Sequence, residues 1–224
     1  MGKMISFQRT GGGTAAGYLA EATGPKAPGV VVIQEWWGLQ GQIKEICDRF
    51  AGAGFHALAP DLFEGKVVPY HDSAAASAAM SSLDFRKATD EVVRGAVRHL
   101  AAGGAKVGLT GFCMGGAVTV IGAVHVPELS AAVTFYGLPP EEVAAPRAVR
   151  VPLQGHFARH DDWVSPAVVD DFERKLRAAG KIFEFHRYEG HHAFMNSDRK
   201  EVHDPAAAQR AWERAVEFFR KHLA

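Results

Sequence analysis

Val107-Gly108-Leu109-Thr110-Gly111-Phe112-Cys113-Met114-Gly115-Gly116 is the stretch on which the reading of the fold turns. Lys106 to Thr110 reads as a buried strand and Ala117 to Val124 as a buried helix, so Gly111-Phe112-Cys113-Met114-Gly115 joins a strand directly to a helix. A G-x-C-x-G pentapeptide at that place is the nucleophile-elbow pattern, with cysteine in the serine position. The nucleophile of an elbow sits in a strained, tight turn, and a side chain at Gly111 or Gly115 would collide with the neighbouring strand or helix. A thiol at a helix N-terminus is also favoured as thiolate by the unpaired N–H groups and the helix dipole. The bland alternative is a buried small hydrophobe in an ordinary strand-to-helix turn, or in one that binds phosphate. The stretch lacks G-x-G-x-x-G spacing and no P-loop lysine follows it, which speaks against nucleotide binding.

Working outward, strand and helix signals alternate, as in a parallel sheet covered by helices on both faces. Met1 to Ser6 reads as an alternating first strand, and equally matches a loose N-myristoylation pattern. Gly29 to Gln34 is a β-branched strand, followed by a helix over Gln40 to Ala53 and a strand over Phe55 to Ala59. Ser73 to Ala79 reads as loop or a helical turn, and Phe85 to Ala101 as one helix stopped by Gly103-Gly104. Ala131 to Tyr136, Val151 to His156 and Ile182 to Tyr188 supply further strands. Ser165-Pro166 and Asp204-Pro205 each fit a helix start, with the first residue as N-cap and proline in the first turn. The expected architecture is α/β: a mostly parallel sheet of about seven or eight strands, in a single domain spanning residues 1–224.

An elbow needs an acid and then a histidine further along the chain. Asp161 and Asp162 follow the Val151 strand, and His191 and His192 follow the Ile182 strand. Asp161 and His192 are the preferred members of each pair. The other reading of either aspartate is a loop-capping carboxylate. A zinc cluster of His160, Asp161 and His191 has no H-E-x-x-H or CxxC spacing behind it, so no metal is expected. With Cys113, Asp161 and His192 the chemistry is acyl transfer: His192 takes or shares the thiol proton, Asp161 holds its tautomer, and the sulfur attacks a carbonyl to form a thioester that water cleaves. The oxyanion needs two donors, expected from the backbone N–H groups of Met114 and Trp36. Glu35 ends the buried Gly29 strand, where ligands gather in open α/β sheets. A carboxylate there is either turned to solvent or near Cys113, tuning its proton.

Composition narrows the partners. The 224 residues are 47% apolar, long enough for one sizeable core, and Lys+Arg equal Asp+Glu at 25 each, so no net field draws nucleic acid or an anionic membrane. Two cysteines, Cys47 and Cys113, exclude a disulfide framework. No apolar leader or ~20-residue apolar span is present, and the expectation is a cytoplasmic protein acting on a small molecule without a cofactor.

At this point the chain resembles the dienelactone hydrolase family, of α/β-hydrolase fold, over almost its whole length. The matching stretches are Val32 to Gly38, Pro60 to Phe63, Val107 to Gly116, Asp161 to Val164 and Gly190 to Phe194. The resemblance implies a Cys-His-Asp triad, a glutamate at Glu35 bonded to the resting thiol, a monomer without metal or organic cofactor, and cleavage of a cyclic enol-lactone (carboxymethylenebutenolidase activity). One departure stands out: Asn196 occupies the place of an arginine that would grip a substrate carboxylate. A second arginine is expected before the Phe85 helix, where Arg86 or Lys87 could substitute. Hydrolysis of small esters or lactones is the leading expectation. The alternatives are a non-catalytic small-molecule binding module and an enzyme that uses the thiol without hydrolysis, such as an acyl transferase.

Overall fold

The computed structural model describes residues 1–224. Eight strands form one sheet: β1 (Lys3–Gln8), β2 (Thr14–Ala20), β3 (Gly29–Ile33), β4 (His56–Pro60), β5 (Val107–Phe112), β6 (Leu129–Phe135), β7 (Leu153–His160) and β8 (Phe183–His191). Their spatial order is β1-β2-β4-β3-β5-β6-β7-β8. Only β2 runs against the rest: it pairs antiparallel with β1 and β4, and every pairing from β4 to β8 is parallel. The α/β-hydrolase expectation is met in both strand number and direction.

The central strands are apolar on both faces because both are covered, and alternate residues serve opposite layers. Val30 and Val32 of β3 face a layer made by α1 (Gly41–Gly52) and the C-terminal helix, through Ile43, Phe50, Ala215 and Phe219. Val31 and Ile33 face the other layer, with Val93, Val97, Met114 and Val118.

Three elements differ from the sequence expectation. Thr14–Ala20 was not foreseen as a strand, since Thr-Ala-Ala-Gly-Tyr-Leu-Ala carries little β-branched signal. Its small residues permit a close approach instead: a Cβ on Gly17 would lie 2.9 Å from the Ala59 carbonyl oxygen. Ser73–Ser81 forms a full helix, α2, because its alanines favour helix and the Asp72 carboxylate caps it by accepting from the Ala75 N–H at 2.9 Å. The helix α3 is not continuous. It runs in three pieces, Phe85–Ala88, Thr89–Val93 and Arg94–Leu100, and the middle one has the wider π geometry. The Asp90 and Glu91 carbonyls at this wide turn accept from the Thr10 hydroxyl and the Thr10 N–H.

The remaining helices are α4 (Met114–His125), α5 (Pro166–Ala178) and α6 (Pro205–Leu223). Asp204 caps α6 with its side chain, accepting from the Ala206 and Ala207 N–H groups at 3.0 Å. Ser165 occupies the N-cap of α5 without a side-chain hydrogen bond. No helix is long and apolar enough to cross a membrane.

Candidate active site

The site lies where the parallel strands end, at the carboxyl edge common to ligand sites of open α/β sheets. Residue 113 follows β5 and opens α4 in a conformation that side chains rarely adopt, with φ 55° and ψ −117°. Such a backbone costs about 1–3 kcal/mol and persists only when its surroundings enforce it. Here they do. The Cys113 N–H donates to the Phe135 carbonyl at 3.0 Å, and the Cys113 carbonyl accepts from Gly116 and Ala117. A Cβ on Gly111 would fall 2.2 Å from the Gly115 oxygen, and one on Gly115 would fall 2.5 Å from the Ile33 and Gln34 oxygens. The glycines therefore let α4 start hard against β3 and β5. Gly137, which the sequence did not single out, closes the other side: its Cβ would lie 2.1 Å from the Cys113 carbonyl oxygen.

Strand register brings the acid and the imidazole together. β7 and β8 are neighbours in parallel, and His160 pairs with His191, so the next residue of each strand, Asp161 and His192, emerges side by side. His192 Nδ1 lies 2.9 Å from Asp161 Oδ2. The Asp161 side chain is fully buried, and its other oxygen accepts from the Trp163 and Val164 N–H groups at 2.8 and 2.9 Å. A carboxylate held by two backbone donors and one imidazole has a single orientation. Asp162 and His191 are exposed. His160 pairs instead with Glu189 at 3.3 Å, and no group of three His, Cys, Asp or Glu side chains could hold a metal ion.

Burial alone would lower the His192 pKa, but the Asp161 hydrogen bond and the adjacent Cys113 sulfur outweigh it and lift it to about 10. The ring thus carries its proton at neutral pH. Nε2 is buried and has no well-aligned hydrogen-bond partner, which leaves it open toward Cys113.

Glu35 is buried, not turned to solvent, yet it does not hold the thiol as the resemblance implied. Its Oε1 accepts from the Tyr136 hydroxyl at 3.1 Å and its Oε2 from Asn196 Nδ2 at 2.7 Å. Burial raises its pKa, while Asn196, His192, Tyr136 and Arg199 pull the other way. Burial and the neighbouring Glu35 and Cys113 keep the Tyr136 phenol protonated, well above its ordinary range. Asn196, which stands where a substrate-gripping arginine was expected, is fully buried as the clamp on Glu35.

Trp36 and Trp37 occupy the tip of a turn closed by the Gly38 N–H donating to the Glu35 carbonyl at 3.2 Å. Trp36 packs against the apolar cluster that contains Met114. The Met114 N–H, first in α4, has no partner inside the helix. Both flank a cavity of about 620 Å³ that holds Cys113, His192 and Glu35 in its wall.

A match to the dienelactone hydrolase family model extends over residues 15–223. The chain belongs to the dienelactone hydrolase family. With that membership it is an enzyme, a carboxylic ester hydrolase. The protein usf of Aquifex pyrophilus is 38% identical to this family member, with both chains covered in full. A protein of Aquifex aeolicus assigned provisionally as a carboxymethylenebutenolidase is 36% identical, again over both full lengths. Among solved structures, a provisionally assigned dienelactone hydrolase from Klebsiella pneumoniae superposes with a TM-score of 0.83 at 26% identity, covering 98% of this chain and 99% of its own. A dienelactone hydrolase-like promiscuous phosphotriesterase from metagenomic libraries shares the fold with a TM-score of 0.84 at 24% identity, covering 100% and 99%.

Three side chains of this hydrolase's site escaped the sequence. Tyr136 stands at φ 39°, with its ring 5.1 Å from that of His192. Its place at the carboxyl end of a buried strand was the available signal. Trp163 packs edge-on against Trp36 at 5.3 Å, and Arg199 lies 5.6 Å over Trp37 while donating to Glu201 at 2.9 Å. Neither follows a pattern a sequence displays. Arg86 and Lys87 are outside the cavity wall, and Arg86 pairs with Asp90 at 2.6 Å.

Proposed function

We propose that the protein hydrolyses small carboxylic esters or lactones through a Cys113–His192–Asp161 triad and a thioester acyl-enzyme. The observation that carries this reading is the 2.9 Å His192–Asp161 pair beside a cysteine on a strained strand-to-helix turn. In the resting site His192 holds the proton and Cys113 is the nucleophilic sulfur. The sulfur attacks the carbonyl carbon, and the pair of electrons moves to oxygen, which the Met114 and Trp36 N–H groups stabilise by about 3 kcal/mol each. Collapse re-forms the carbonyl and expels the alkoxide, which takes the His192 proton. Water then gives a proton to His192 as its oxygen attacks the thioester, and the sulfur leaves with the bonding pair. Asp161 fixes the ring throughout, and Glu35, held by Tyr136 and Asn196, interacts with its charge.

The Aquifex aeolicus relative's name makes carboxymethylenebutenolidase activity the narrower form of this proposal. That substrate carries a carboxylate, and here Asn196 is engaged with Glu35 while Arg199 is paired with Glu201. Those engagements favour the broader form, hydrolysis of esters without an anionic handle. Residues 1–224 are proposed to work as one domain, as a monomer in the cytoplasm, in keeping with balanced charge and two unpaired cysteines.

The test is turnover of p-nitrophenyl acetate and of a dienelactone by the wild type, Cys113→Ala and His192→Ala. Both variants are expected to lose at least about a hundredfold in kcat. Wild-type turnover by Cys113→Ala refutes the mechanism.

A further inference from the structure

The cavity is larger than a thiol, an imidazole and two N–H donors require. Its volume of about 620 Å³ lies in the range of pockets that bury whole small ligands, and 15 of its 23 lining residues are hydrophobic, so most of what it binds is apolar. Met114, Ala117 and Ile121 line it from α4. Spaced by three and four residues, they make one stripe of that helix, about 10 Å long from Met114 to Ile121 at 1.5 Å per residue. Phe85, at the start of α3, and Leu138 and Val143, from the segment after β6, complete the apolar wall.

The two halves of an ester are told apart by the proton. The leaving oxygen must face His192, and so lies toward Trp163 and Ala193. Ala193 packs into the layer on the α1 and α6 face of the sheet, whereas Ile121, with Phe85 and Leu138 against it, belongs to the opposite layer. A group directed away from His192 therefore enters the α4 groove.

We propose that this groove binds the acyl chain, and that the enzyme's substrate class is esters of straight-chain, uncharged carboxylic acids longer than acetate. At about 1.2 Å per extended bond, the groove accommodates a chain of about eight bonds. This rests on the Cys113 acyl-enzyme reading above, and each buried methylene adds transition-state binding only if the chain sits in the groove while the sulfur reacts.

The experiment measures kcat/KM for p-nitrophenyl acetate, butyrate, hexanoate and octanoate, and for acetate esters of lengthening alcohols, in wild type, Cys113→Ala, Ala117→Phe and Val143→Trp. A rise of at least about tenfold from acetate to hexanoate is expected, with no comparable rise along the alcohol series. Ala117→Phe is expected to bring the hexanoate-to-acetate ratio toward one. Val143→Trp, on the exposed rim where bulk does not threaten folding, is expected to lower the same ratio. Cys113-dependent turnover that is flat with acyl length, that rises with the alcohol instead, or that prefers an anionic acyl group overturns this inference alone. Turnover that survives in Cys113→Ala overturns the nucleophile reading and this inference with it.

Discussion

At the scale of single residues the site is a problem of where one proton rests. His192 is buried, which disfavours its charge, yet the Asp161 carboxylate and the Cys113 sulfur raise its pKa from 6.5 to about 10. The folded protein consequently holds the proton more tightly than the unfolded chain. The part of the rise due to Asp161 makes rising pH above 6.5 favour unfolding through this group, whereas the part due to Cys113 only moves a proton between sulfur and ring. Urea unfolding of Cys113→Ala and of Cys113→Ala/His192→Gln, where no sulfur takes up the released proton, should show a stability difference that is full below pH 6.5 and shrinks as pH rises above it. A difference that grows with pH contradicts the charged resting state. The placement of Cys113, Asp161 and His192 at strand ends was legible in the sequence because each follows a strand with a turn signal. The partners of Glu35 were not: Asn196 and Tyr136 lie 161 and 101 residues from it, and only the sheet brings them together.

At the scale of elements, the elbow depends on how closely α4 approaches β3. Gly115→Ala places a Cβ against two backbone oxygens at 2.5 Å, neither of which can rotate away. Helix or strand must shift, and overpacking of this kind costs on the order of 1–3 kcal/mol. Chemical denaturation should show a loss in that range together with a fall in kcat, since the same shift displaces the Met114 N–H. Unchanged stability and activity in Gly115→Ala contradict the tight-elbow account. Elements with strong periodicity, such as β3, α1 and α6, were legible from pattern alone. The π turn of α3 was not, because two of its carbonyls are met by Thr10 from the β1–β2 connection, a contact distant in the chain. β2 was missed for a related reason: its small residues record proximity to β4, which a propensity scale reads as weakness.

At the scale of the whole molecule, six neighbouring parallel strands deliver their carboxyl ends to one edge, and the site gathers a residue or turn from five of them. Glu35 and Trp36 follow β3, Cys113 follows β5, Tyr136 follows β6, Asp161 follows β7 and His192 follows β8. The strand order therefore gathers the residues of the proposed triad, with Glu35 and Trp36, from positions spread over 158 residues, from Glu35 to His192 inclusive. The alternation of strand and helix signals made this edge foreseeable. The size and apolar lining of the cavity were not, since they depend on α2, α3 and the segment after β6 folding over it.

The central claim is that the sulfur of Cys113 carries the acyl group. Rapid quenching in acid during turnover of p-nitrophenyl hexanoate, followed by intact-mass analysis and peptide mapping, tests it directly. The account predicts a mass increase of one hexanoyl group, confined to the peptide containing Cys113 and absent in Cys113→Ala. An acyl group found on another residue, or the same adduct in Cys113→Ala, contradicts it.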